Sequence, residues 1–296
     1  MVGWCFPLWR EAPAGPLASA TNATNATQWG HGPAQGRYWL RHVAVGETVA
    51  PVGKGVPGAP DRPRLAVAGP DAYAAPTFCS EQRMPLPRLV IGDKTLSSWS
   101  LRPWLLLRHF QVPFEEVRLP LDTPEFQARI AGYSPTRKVP VLWDDALHVW
   151  DSLAICEYVN ERWLAGRGWP AELSVRAQAR AAAAEMHSGF VALRTQLPMN
   201  LARQPGPAHW DAAAERDITR IQALWASLRA EHGHAGQFLC GDFGIVDAMF
   251  APVALRFASY GVPLFETAGD YLAALDALPA LREWTQGAER ERLERG

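Results

Sequence analysis

Three short stretches carry residue types that chemistry uses. The run Thr95-Leu-Ser97-Ser98-Trp99-Ser100 gathers hydroxyls and backbone amides in one turn ahead of an apolar segment. If a helix starts there, its exposed amides attract an anion. A serine hydroxyl at such a point can donate to a thiolate and lower a thiol pKa from about 8.5 toward 7. The same three serines also read as a capping cluster. Val139-Pro140 stands at the start of an apolar run, where proline suits either an edge strand or a cis peptide bond. In the cis case the amide and carbonyl of Val139 are left to pair with an extended, peptide-like ligand. Asp151-Ser152 opens another helix, where Ser152 and the first amides suit a carboxylate and Asp151 suits an ammonium. Simple capping by Ser152 accounts for the same pattern.

These stretches need elements to hold them, and the hydrophobic pattern supplies a set. Leu89-Val-Ile91 reads as a short buried strand, and Leu101 to Phe110 as a helix whose Pro103 falls in the first turn. Phe114 to Leu119 reads as a second strand and Pro124 to Ala131 as a short helix. Lys138 to Trp143 and Ala146 to Trp150 make two strands around Asp144-Asp145. Ser152 then caps a helix to about Leu164. The order β-α-β-α-β-β-α builds a small mixed sheet with helices on both faces. After the linker Ala165 to Pro170 everything reads helical: 172–198, then Ala212 to Glu231 with Ile218, Ile221, Leu224, Trp225 and Leu228 on one stripe, then an almost wholly apolar helix from Asp247 to Phe257 with Pro252 expected to kink it. Helices near Tyr271 to Leu278 and Ala280 to Leu293 complete an all-α half. Cys156 and Cys240 read as buried and inert.

The first 83 residues differ, holding ten of the 25 prolines and ten of the 24 glycines. Proline removes donors and glycine costs backbone entropy, so this stretch reads as disordered. Ala18-Ser-Ala20 imitates a signal cleavage site without a basic lead-in, and the sequons at Asn22 and Asn25 follow compositional bias. The expected division is a 1–83 extension, an α/β domain over 84–165 and an all-α domain over 171–296, with Met84 as a candidate translation start. The whole chain of 296 residues carries 29 basic and 30 acidic side chains, which gives no footprint for nucleic acid. No apolar run approaches the roughly 18 residues a membrane helix needs. Cys5, Cys79, Cys156 and Cys240 lack metal-type spacing, so neither a metal site nor a disulfide framework is expected, and a cytoplasmic setting is.

One peptide-like ligand with a carboxylate, an amine, an extended backbone and a thiol would fit all three stretches, and glutathione has all four. The stretch from about Arg88 to Glu289 resembles the cytosolic glutathione transferases. The resemblance rests on Ser97-Ser-Trp-Ser-Leu-Arg102, Lys138-Val-Pro-Val-Leu142, Asp151-Ser-Leu-Ala-Ile155 and Gly241 to Pro252, in the family's order. It implies a thioredoxin-like N-terminal domain, a helical C-terminal domain and a homodimer. The serine turn is most similar to the zeta class, with Trp99 where that class has cysteine. The resemblance implies that Ser97 or Ser98 holds the thiolate, Ser97 by preference with Ser98 positioning. Lys138, Val139 and Pro140 would meet the cysteinyl unit, and Asp151 and Ser152 the γ-glutamyl end. A cleft near Trp99, Met186, His187, Phe190, Arg194 and Met199 would take a small electrophile. Arg194 there suits either an anionic substrate or an ion pair. The implied function is a glutathione transferase with reduced glutathione as co-substrate and no metal. A glutathione-dependent isomerase or peroxidase and a non-catalytic interaction protein are the alternatives. The missing cysteine speaks against thiol chemistry by the protein itself at this turn. Gly244 stands where the family's capping box has Ser or Thr, with Asp247 kept three residues on.

Overall fold

The computed structural model describes residues 85–295. The expectations for 1–83, including Cys5, Cys79, Ala18 to Ala20 and both sequons, lie outside the described residues. The first half runs β1 Arg88–Ile91, α1 Ser98–His109, β2 Glu115–Arg118, α2 Pro124–Ile130, β3 Val141–Asp144, β4 Leu147–Trp150 and α3 Ser152–Arg162. The sheet order is β2-β1-β3-β4, with β1 parallel to β2 and β3 antiparallel to both neighbours. That is the mixed sheet a β-α-β crossover followed by a hairpin must make. Side chains alternate across β1: Leu89 and Ile91 join the large core with α1 and α3, and Val90 joins Val141, Phe126 and Ile130 under α2. Helices therefore cover both faces.

The second half is helical: α4 Leu173–Ser188, α5 Val191–Gln196, α6 Ala212–His232, a 3-10 turn Gly233–Ala235, α7 Ile245–Tyr260, α8 Glu266–Asp276 and α9 Pro279–Arg295. Thirteen of the sixteen residues of α7 are buried, which puts it at the centre, packed on α1 and α4. It runs continuously through Pro252. The architecture is thus a thioredoxin-like α/β part with a four-stranded mixed sheet and a helical C-terminal part. No helix among the described residues is long and apolar enough to cross a membrane.

Three local expectations need correction. Helix α1 starts at Ser98 because Ser97 accepts the Ser100 amide as N-cap, so Pro103 lies inside the helix and not in its first turn. Its missing N–H removes one intrahelical bond, to the Trp99 carbonyl. Ser152 does not cap α3: Asp151 does, its Oδ1 accepting from the amides of Leu153 and Ala154 at 2.9 and 3.1 Å. The single helix expected over 172–198 is broken at Gly189-Phe190. A Cβ on Gly189 would sit 2.8 Å from the Glu185 carbonyl oxygen, and Phe190 takes left-handed backbone with φ 58. Phe190 stays buried, so the hydrophobic period continues where the helix does not.

Candidate glutathione site

A cleft of about 370 Å³ opens against the carboxyl end of the sheet, lined by Trp99, Thr136, Lys138, Val139, Pro140, Trp150, Asp151 and Ser152. Three separate segments build it. The α1 turn brings Trp99, the loop before β3 brings Thr136 to Pro140, and the β4–α3 junction brings the rest. The Val139-Pro140 bond is cis. The β3 ladder begins at Val141, so Val139 lies outside it. Asp151 holds its place with φ 78, an uncommon backbone for a residue with a Cβ, and aspartate tolerates it because its side chain bonds the amides that follow.

The carboxylate of Asp151 has two tasks. Its Oδ1 caps α3, and its Oδ2 lies 3.0 Å from Nε2 of His187 on α4. Burial holds the His187 imidazole below its ordinary value, against the pull of Asp151. Ser152 is buried and its Oγ accepts from Nη1 of Arg102 at 3.3 Å. Arg102 in turn lies over the Trp99 ring at 4.3 Å, Arg194 lies over the same ring at 4.9 Å, and His187 meets it edge-on at 5.4 Å. Trp99 is thus held by two guanidinium groups.

The remaining expected site residues are placed as follows. Neither Ser97 nor Ser98 lines the cleft, although their neighbour Trp99 does. Ser97 Oγ donates to Ser100 Oγ at 2.7 Å, and Ser98 Oγ accepts from Nη2 of Arg256 on α7 at 3.2 Å. Phe190, with Met186 and Met199, belongs to the core and not to a cleft wall. Arg194 enters no ion pair within 4 Å among the described residues. It donates to the carbonyls of Met186 and His187, closing the end of α4. Arg102 closes the serine motif without a role read for it from sequence, Arg256 is not among the expected site residues, and both are buried beside the turn. For Arg256 a signal existed: it is the only cation in a helix otherwise built to be buried. Burial pushes the Cys156 thiol up, and pushes Cys240, which is half-buried, up to about 12. Cys156 is buried as expected, whereas Cys240 is not fully so, and the upward shift disfavours the thiolate at both. No group of three or more potential metal ligands occurs among the described residues.

Residues 96–162 match the family model "Glutathione S-transferase, N-terminal domain". Dichloromethane dehalogenase of Methylorubrum extorquens is 43% identical over 60 residues, 20% of this chain and 21% of that protein, so the alignment spans about a fifth of its length. Glutathione S-transferase GstB of Escherichia coli is 27% identical over 164 residues, 53% of this chain and 77% of that protein. Among solved structures, a Burkholderia glutathione transferase homologue with bound glutathione has a TM-score of 0.54 at 23% identity, covering 70% of this chain and 99% of its own. Ure2p in complex with glutathione has a TM-score of 0.52 at 18% identity, covering 69% and 99%. At these identities the structures show the shared fold. All eight cleft residues lie within the matched segment, so the cleft belongs to the part of this chain that is similar to a glutathione S-transferase N-terminal domain, and the chain shares its fold with these structures.

Proposed function

We propose that the cleft binds reduced glutathione and that the protein adds the glutathione thiolate to a small electrophile, as a serine-type transferase. The observation that carries this is the convergence of Lys138 to Pro140, Asp151 with Ser152, and Trp99 on one cleft from three parts of the chain. Val139 backbone groups pair with the extended tripeptide, Ser152 and the α3 amides hold the γ-glutamyl carboxylate, and Asp151 takes its ammonium. A hydroxyl of the Ser97–Ser98 turn favours the thiolate over the thiol. The thiol proton leaves to water. The sulfur then forms a bond to the electrophilic carbon, and the leaving group departs with the electrons of the bond it loses. The absence of a cysteine at this turn argues for conjugation over thiol–disulfide chemistry. The proposed division is an α/β domain over 84–165 and an all-α domain over 171–296, with the linker at 165–170 between them. The protein is proposed to act as a homodimer in the cytoplasm.

Calorimetry with reduced glutathione tests the reading. Wild type is expected to bind, and Ser152→Ala to bind about tenfold or more weakly, as for loss of a charge-assisted contact of about 1.5–3 kcal/mol. Unchanged affinity in a folded variant overturns the assignment of this cleft. Turnover of chloronitrobenzene with glutathione, against hydroperoxide and maleylacetone, separates transferase from peroxidase and isomerase chemistry.

A further inference from the structure

The serine turn offers two hydroxyls for the thiolate, and their hydrogen bonds distinguish them. Ser97 Oγ donates its proton to Ser100 Oγ at 2.7 Å and accepts the Ser100 amide at 3.4 Å. Ser100 Oγ also accepts the Gly92 amide at 3.1 Å, which ties this pair to the end of β1. The hydroxyl of Ser97 is therefore committed to capping α1. Ser98 is in the opposite state: its Oγ accepts from Arg256 Nη2 at 3.2 Å, and no hydrogen bond among the described residues takes its proton. Its neighbour Trp99 lines the cleft.

The surroundings of that hydroxyl are rich in positive charge. Arg102 and Arg256 are 1% and 4% exposed, and the Nε of each is buried without a partner. No carboxylate lies within ion-pair distance of Arg102, Arg194 or Arg256 among the described residues. Burial, then repulsion from Arg194 and Arg256, brings Arg102 down to about 9, and burial with repulsion from Arg194 brings Arg256 down to about 10. Buried cations are ordinarily paired, so a cluster of this sign beside a cleft is incomplete without an anion.

We propose that Ser98 is the catalytic hydroxyl and that Arg256 is the residue that positions it, a proposal resting on the reading that the cleft binds glutathione. By occupying a lone pair of Ser98 Oγ, the guanidinium turns the O–H away from itself and makes it a stronger donor. The glutathione thiol gives its proton to water and its sulfur accepts the Ser98 hydrogen bond, with no covalent change at serine. Arg102 and Arg194 add to the field that favours the anion. Helix α7, together with Arg194 on α5, thereby brings the helical part to bear on a hydroxyl held by the α/β part.

Ultraviolet titration of the bound thiolate, with calorimetric affinity measured alongside, tests this. Ser98→Ala is expected to raise the pKa of bound glutathione by about 1–2 and to shift the acid limb of the pH–rate profile equally, while Ser97→Ala moves neither by more than about 0.3. Arg256→Gln should raise the pKa by about 1, and Arg256→Lys, keeping charge and donor, should restore most of it. A merely structural arginine would change melting temperature and affinity without this pattern. A raised pKa in Ser97→Ala with none in Ser98→Ala overturns the proposal. So does an unchanged pKa in Ser98→Ala, a variant that needs no buried charge removed and is expected to fold. Wild type that fails to bind glutathione overturns the underlying reading of the cleft, and is distinguishable because no thiolate signal is then seen in any variant.

Discussion

Asp151 shows how much one side chain is asked to do at this site. It caps α3, tolerates left-handed backbone, and meets His187 across to α4. Its proposed role toward the glutathione ammonium depends on the state of that histidine. Above the ordinary histidine value the imidazole is neutral and donates from Nε2, leaving the charge of Asp151 for the ligand. Burial, helped by Arg102 and Arg194, opposes protonation, so the change comes at a pH below about 6.5. As pH falls through that region the imidazolium competes with the ammonium for Asp151. Glutathione affinity of wild type should therefore fall about two- to fivefold from pH 7 to pH 5, the size of a partly exposed charge pair. His187→Gln should show a flatter profile. Calorimetry at both pH values decides this, and a wild-type profile that is already flat counts against the coupling. The cleft residues other than Thr136 and Trp150 are legible from sequence because each segment carries its own local signal: a hydroxyl turn, a proline at a strand start, an acid before a helix. The arginines are not, since their partners lie far along the chain, 50 residues from Arg102 to Ser152 and 158 from Arg256 to Ser98. Local periodicity contains no term for such contacts.

The same division between local and distant causes holds for the elements. All seven elements of the α/β half follow from alternation and turn chemistry, whereas the break between α4 and α5 does not, because Phe190 continues the buried stripe. The start of α7 is a sharper case. Its capping box retains only the aspartate half: Asp247 Oδ2 accepts the Gly244 amide at 2.9 Å and Oδ1 accepts the Leu239 amide at 3.0 Å, both buried. Glycine at 244 departs from the family pattern for a reason seen only in three dimensions. A Cβ there would lie 2.8 Å from the Gly168 carbonyl oxygen, the same oxygen that accepts the Ile245 amide at 2.8 Å. Gly168 is itself fixed by Asn160, whose Oδ1 accepts its amide at 2.8 Å. The linker thus occupies the space a capping serine would need. Gly244→Ser is expected to destabilise by about 1–3 kcal/mol despite its better capping chemistry. A rise in melting temperature would show that the linker yields easily. Asp247→Ala leaves two buried amides without acceptors and should cost about 2–5 kcal/mol by denaturant titration.

At the scale of the whole molecule, residues of α9 hold the loop that leads into the serine turn. The Lys94 amide donates to Glu291 Oε2 at 2.9 Å, Trp284 Nε1 donates to the Lys94 carbonyl at 3.0 Å, and Thr95 Oγ1 donates to the Ala288 carbonyl at 3.3 Å. Lys94 Nζ bonds Glu116 and lies over the rings of Trp104 and Trp284, while Arg118 on β2 reaches Glu291 at 3.5 Å. Residues 1–83 hold ten of the 25 prolines and ten of the 24 glycines, a composition poorly suited to a packed core. A chain beginning at Met84 is therefore expected to match the full chain in melting temperature and glutathione affinity, and a loss of several degrees would refute that division. Inside the described part the opposite holds, because cations and a backbone amide from the sheet side share one carboxylate from the last helix. Glu291→Ala removes that acceptor and leaves Lys94 and Arg118 with less compensation in a mostly buried place. Losing one partner of such a group costs about 2–4 kcal/mol, or roughly 4–16 °C for a unit of this size. If the two parts are one cooperative unit, tryptophan fluorescence and far-ultraviolet circular dichroism should still report a single, earlier transition. Two separated transitions in Glu291→Ala would mean instead that α9 only bridges two parts that fold on their own, and that the loop before Ser97 keeps its place without it.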